Sequence, residues 1–171
     1  TSDNKERTRV ATQMGTPAAD LPAELAGLPP CDQVGLVVRD LERAMAMYAP
    51  LFGPFTTMDG SVQQASYRGR LADVGLKIAY GRSGDLEIEL IEWTSGESPH
   101  REFIEAGREG MHHFRFRVDD TDHWVEKLRP LGYEAIWYKR WSADTVFAYL
   151  ERAGDPTLIE FLQMPAGGPG A

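Results

Sequence analysis

Apolar and polar residues fall into the same order twice along this chain. The first copy opens with CDQVGLVVRDLERAMAMYAPLFG and closes with GDLEIELIEW; the second opens with MHHFRFRVDDTDHWVEKLRPLGY and closes with PTLIEFLQMP. Each opening reads as a strand, an Asp-containing turn and an amphipathic helix, and each closing as an apolar strand interrupted by a glutamate. A self-similarity of this size constrains the architecture before any single residue is interpreted. In the first copy Val34, Leu36 and Val38 alternate with Gln33, Gly35 and Val37, the period of a strand with two distinct faces. Asp40 stands at an N-cap position, Leu41, Ala44, Met45 and Tyr48 recur at helical spacing, and Pro50 and Gly53-Pro54 are expected to end the helix. Strands are predicted near 63–69, 74–80 and 85–93. In the second copy a strand over 112–118 leads to a helix from Asp120 or Thr121, with Trp124, Val125 and Leu128 inward and Gly132 as terminator. Strands near 134–139, 145–151 and 157–163 complete it.

The pattern predicts an α+β chain of two βαβββ modules, at 31–95 and 110–165. The linker, 96–109, carries a short helix in SPHREFIEAG, with Pro99 at the first helical position and Gly107 beyond the end. Residues 1–29 are rich in Thr, Ala, Pro and charge and read as a flexible arm, with one or two helical turns over Ala18–Leu28. Residues 166–171 read as a flexible tail.

At 171 residues the chain suits one domain or two small modules sharing a core. Its 42% hydrophobic and 26% charged content is that of an ordinary globular protein. No apolar run approaches the ~18 residues of a membrane span, no signal-peptide pattern opens the chain, and a cytoplasmic location is expected. A net charge of -8 disfavours nucleic acid and anionic membrane as partners. A lone Cys31 excludes an internal disulfide, fits a reducing compartment and reads as packing at the start of a strand.

Four polar residues occupy equivalent places in the two copies: Gln33, Glu89, His113 and Glu160. Alternation puts Gln33 on a face with Gly35 and Val37, Glu89 with Glu87 and Ile91, His113 with Arg115 and Arg117, and Glu160 with Leu158 and Leu162. Both glutamates lie inside apolar runs, and an isolated buried carboxylate is costly unless a cation or donor compensates it. Two carboxylates, one imidazole and one amide oxygen meeting in a cavity would suit a divalent cation: Zn, Ni, Co, Mn or Fe. The competing reading places each residue on a solvent face of its strand. Four at matching positions in two copies favour the metal site.

The doubled pattern with these four positions resembles the vicinal oxygen chelate superfamily: glyoxalase I, methylmalonyl-CoA epimerases, extradiol dioxygenases and bleomycin-resistance proteins. The resemblance covers about residues 31–165 and is closest to the epimerase-like branch, through ESPHREFIEAGREGMHHFRFRVDD and PTLIEFLQMP. It implies two modules that curl into cups, a mixed-sheet barrel enclosing a metal held by the first and last strand of each module. Carried over, the ligands are Gln33, Glu89, His113 and Glu160. His113 is matched rather than His112, because Phe114-Arg115-Phe116 follows it as Val34-Gly35-Leu36 follows Gln33. Epimerases usually have His where Gln33 stands, and the order Gln, Glu, His, Glu is also that of animal-type glyoxalase I.

The resemblance implies a lyase or isomerase that moves a proton at carbon beside a metal-bound carbonyl or acyl-thioester, with Glu160 as base. Epimerases use a second acid/base glutamate, whose place falls here on Leu76 or Lys77. Lys77 is a candidate substrate-side group or a solvated lysine. Arg115 would either meet a substrate carboxylate or phosphate, or pair with Glu87 or Glu89. Trp137, Tyr138 and Trp141, placed between two strands, would form a lid over an apolar substrate or a surface contact. His100 and His123 are expected on helical faces toward solvent. An extradiol-type dioxygenase and a non-catalytic small-molecule binder are the alternatives; Gln33 counts against the first and retention of four ligand positions against the second. Superfamily members are often homodimers, so the expected partners are a small-molecule substrate and a second copy of the chain.

Overall fold

The computed structural model describes residues 23–166. Residues 1–22 of the arm and 167–171 of the tail lie outside them. The elements in order are β1 (Cys31–Val38), α1 (Leu41–Phe52), β2 (Thr56–Asp59), β3 (Val62–Tyr67), β4 (Arg70–Ser83) and β5 (Leu86–Gly96). Then come α2 (Pro99–Glu105), β6 (Gly110–Arg117), α3 (Thr121–Leu128), β7 (Tyr133–Arg140), β8 (Val146–Arg152) and β9 (Leu158–Gln163). A single 3₁₀ turn, Ala23–Leu25, precedes β1, and its Leu25 packs with Leu28 against the core under α3.

The strands form one mixed sheet in the order β2-β4-β3-β7-β8-β9-β6-β1-β5, closed into a barrel because β5 also pairs with β4. β2 and β3 share one edge of β4, through Thr56↔Tyr80 and Val62↔Val74 respectively. The strand expected near 63–69 is β3, and β2 is a further short strand before it that the sequence pattern does not predict. The pseudo-symmetry is plain in the pairing. β1 runs parallel to β5 as β6 runs parallel to β9, and the two opening strands, β1 and β6, pair antiparallel.

Each helix starts on the same device. Asp40 Oδ1 accepts from Arg43 N–H at 2.9 Å, and Asp120 Oδ1 from His123 N–H at 3.0 Å. α1 runs through Pro50 and stops at Gly53, so the proline sits inside the last turn rather than ending it. After α3 a 3₁₀ turn carries the chain to Gly132, whose φ of 87° only a glycine adopts without strain.

Alternation sorts the core into three clusters. Val38, Ile88 and Leu90 face outward under Leu41 and Ala44 of α1. Ala148, Leu150 and Phe161 do the same under Trp124 and Leu128 of α3. The opposite strand faces line the barrel interior with Val37, Leu76, Ile78, Ile91, Phe147 and Tyr149. Burying one strand face under a helix obliges the other face to look inward, and on that inner face lie the four matching polar residues. Among the described residues no helix is long and apolar enough to cross a membrane.

Candidate metal centre

Gln33, Glu89, His113 and Glu160 meet inside the barrel, each 8% exposed or less. One ligand atom from each of Glu89, His113 and Glu160 lies within 4.8 Å of the others. Oxygen atoms crowd His113 Nε2: Glu160 Oε2 at 3.1 Å, Gln33 Oε1 at 3.3 Å, Glu89 Oε2 at 3.4 Å and Tyr149 Oη at 3.5 Å. One N–H serves few of these, and Glu89 Oε2 is buried without a hydrogen bond. Two buried carboxylates share this centre with a single imidazole. The orphaned carboxylate oxygen and the mixed O/N donor set therefore fit a divalent cation.

The surroundings aim these donors. Gln33 Nε2 donates to Glu87 Oε1 at 2.6 Å, which turns the amide oxygen toward His113. Arg115 Nη2 lies 3.3 Å from the same Glu87 oxygen, while its Nε and Nη2 bind the Asp32 carboxylate at 3.1 and 2.9 Å. Arg115 lines the cavity, but much of its guanidinium fork is spent on Glu87 and Asp32, the ion-pair alternative. Burial opposes its charge, and Asp32, Glu160 and Glu87 hold it.

His112 supplies a further layer. The β1–β6 ladder places Gly35 opposite His113 but Leu36 opposite Met111, so His112 is the extra residue of a bulge. Both imidazoles are buried, with Nδ1 atoms 3.1 Å apart. His112 also hydrogen-bonds the Pro99 backbone, which has only a carbonyl to offer, so His112 donates there. Its Nδ1 is then an acceptor for His113 Nδ1–H, which leaves His113 Nε2 with the lone pair a metal ligand needs. Burial, with His100 and His113 beside it, keeps His112 well below the usual histidine range.

Burial alone would lower the His113 pKa, but the Glu160 and Glu89 carboxylates override it and hold it up at about 9. Metal-free His113 is thus an imidazolium facing the two carboxylates. The Tyr149 and Tyr80 phenols are pushed up by burial and by the nearby Glu160 and Glu89 carboxylates, so both remain neutral O–H groups.

The centre opens into a cavity of about 430 Å³ whose walls include Met58, Leu76, Ile78, Ile91, Phe147 and Leu162. Trp137 is a buried wall residue within β7, not a lid, and Trp141 is half exposed in the turn after β7. Tyr138 leaves the group: its hydroxyl donates to Asp122 outside the barrel. Lys77 also stands outside, 65% exposed and 3.6 Å from Glu92, whereas Leu76 faces the cavity. His100 corrects the expectation of a solvent-facing residue. It is fully buried, stacks on His112 with ring centroids 4.9 Å apart, and lines the cavity. His123 is exposed as expected.

Residues 32–149 match the model of the glyoxalase/bleomycin resistance protein/dioxygenase superfamily, and the chain belongs to that superfamily. Among solved structures, it is similar to a variant of Streptomyces coelicolor methylmalonyl-CoA epimerase in complex with 2-nitronate-propionyl-CoA. Identity is 21% over 81% of this chain and 96% of that one, with a TM-score of 0.56. The Mycobacterium tuberculosis methylmalonyl-CoA epimerase is 21% identical over 84% and 92%, TM-score 0.54. A mutant 4-hydroxymandelate synthase from Streptomyces coelicolor is 16% identical over 81% of this chain and 39% of that chain, TM-score 0.59. At these identities the likeness is one of fold. No curated protein matches the chain.

Proposed function

We propose that the chain is a metal-dependent enzyme that moves a proton at a carbon next to a carbonyl or acyl-thioester, as a lyase or isomerase. Gln33, Glu89, His113 and Glu160 would hold one divalent ion, of Zn, Ni, Co, Mn or Fe. The observation that carries this reading is the buried Glu89 Oε2, left without a hydrogen bond among the converging ligand atoms of Glu89, His113 and Glu160. The bound ion would act as a Lewis acid on a substrate oxygen, withdrawing charge as the carbon loses its proton.

The chain's own residues do the rest. Glu160 lines the cavity and accepts the proton on its carboxylate, then returns it. His112 fixes the ring of His113, and Glu87 fixes the amide of Gln33. The apolar walls with Trp137, and Trp141 at the half-exposed edge, keep water from the reacting carbon. Leu76 faces the cavity where the epimerase pattern has a second carboxylate, and this supports one base working on one side of the carbon. The dioxygenase alternative calls for a second imidazole, and His112 directs its Nδ1 to His113 instead. A homodimer is part of the same reading, tested by light scattering.

The experiment is metal content per chain after loading and desalting, with turnover on a panel of thioesters and 2-oxoaldehydes. The parent should carry near-stoichiometric metal and His113→Ala should lose it. Glu160→Gln should lower turnover roughly 10²–10⁴-fold. No metal under any loading condition would overturn the reading.

A further inference from the structure

Two buried nitrogens, on side chains that line the cavity, are left unused by the metal centre. His100 Nε2 and Trp137 Nε1 have no hydrogen-bond partner, although the residues are 0% and 3% exposed and both line the cavity. Their rings are neighbours, edge to face with centroids 5.2 Å apart. Tyr149 stands between them and the metal centre, its ring 4.9 Å from Trp137, 5.6 Å from His100 and 4.8 Å from His113. The cavity therefore has two polar groups on its walls, the metal centre and the His100–Trp137 pair, with Tyr149 against both.

We propose that His100 Nε2 and Trp137 Nε1 bind a second, uncharged oxygen of the substrate, a carbonyl or a hydroxyl, on an otherwise apolar or aromatic body. This rests on the reading that the same cavity holds the substrate at the metal centre.

The donor inventory selects that chemistry. An indole N–H only donates, so the ligand atom must accept. His100 Nδ1 lies 3.2 Å from Ser98 Oγ, a hydroxyl that can donate or accept, so Nε2 takes either role. A carbonyl would use two donors; a hydroxyl would use one donor and one acceptor. A carboxylate finds no countercharge at this pair, because burial, with His113 beyond it, brings His100 down to about 3 and keeps it neutral. The apolar walls of the same cavity, Leu76, Ile78, Ile91, Phe147 and Leu162, suit a hydrocarbon or ring.

The test compares acetophenone with ethylbenzene, equal in shape but for the oxygen, on the full chain with and without zinc. The readout is the indole N–H resonance of Trp137 in a ¹⁵N correlation spectrum, assigned with Trp137→Phe. Acetophenone should move that resonance downfield in the metal-free protein, and ethylbenzene should not. His100→Phe should weaken acetophenone roughly tenfold and leave ethylbenzene unchanged. Equal movement with both probes, or binding of neither, overturns the inference. The parent spectrum decides this even where a variant fails to fold. Acetophenone that binds only with zinc, leaving Trp137 unmoved, would place its oxygen at the metal; this inference then fails and the metal reading stands. A Trp137 shift in a chain that takes up no metal is the reverse result.

Discussion

The imidazole of His113 lies across the backbone of Gly35, in the space where a β-carbon on residue 35 would stand. The two are register partners across β1 and β6, so the missing side chain on one strand makes room for the ring of the other. Gly35→Ala should therefore push His113 out of reach of Glu89 and Glu160. Expected results are a loss of about 1–3 kcal/mol in stability and much reduced metal content. Thermal unfolding and elemental analysis check both, and a variant that holds metal as tightly as the parent contradicts the role given to Gly35.

Glu87 reaches the centre only through Gln33 and Arg115. Glu87→Gln keeps the shape but removes the charge that orients the Gln33 amide. Metal affinity should fall roughly 10–100-fold with little change in fold, as for other residues that orient a ligand. A competition titration against a chelator of known affinity measures it.

Metal and proton compete for His113 Nε2. The metal-free pKa of about 9 lies above the ordinary 6.5, so at neutral pH the ion must displace a proton. Binding should release about one proton per chain near pH 7.5 and tighten as pH rises toward 9. Calorimetry in buffers of different ionisation enthalpy reads the proton directly. By the same sign, in the metal-free protein His113 contributes stability below pH 6.5 that is lost as pH rises through about 9.

His100 acts in the opposite direction. Its folded pKa of about 3 lies below the ordinary 6.5, so the unfolded chain binds the extra proton first. Stability present above pH 6.5 should drain away as pH falls toward 3, with His112, also lowered by burial, adding to the slope. In His100→Phe the acid slope of the unfolding free energy should be shallower. An unchanged slope would show that His100 is not the neutral buried group described.

Much of this was legible in the chain, for identifiable reasons. Gln33, Glu89, His113 and Glu160 could be found because strand period two and a duplicated pattern place them on one face in both copies. Between Leu76 and Lys77 the sequence leaves the phase open: a register shift at Gly75/Leu76 lies beside them, Leu76 takes the inward place and Lys77 is the solvated lysine. The burial of His112 beside His113 is not legible, because alternation assigns neighbouring histidines to opposite faces and a bulge brings both inside. His100 was hidden by the shortness of α2, which has too few residues to show which face is buried. The Gln33–Glu87 bond needed the parallel β1–β5 register, which no local pattern carries.

The two halves of the barrel are joined unequally. β1 and β6 meet over six register pairs, but β3 and β7 meet over two, Ser66↔Tyr138 and Tyr67↔Trp137. Arg68 braces that narrow seam with bonds to Glu102 and Glu151, at 40% exposure where dissolved salt weakens ion pairs. Fluctuations that part the barrel should begin there, beside Trp137. Amide hydrogens of Ser66 and Tyr67 should then exchange with deuterium sooner than those of β1, and sooner still in concentrated salt.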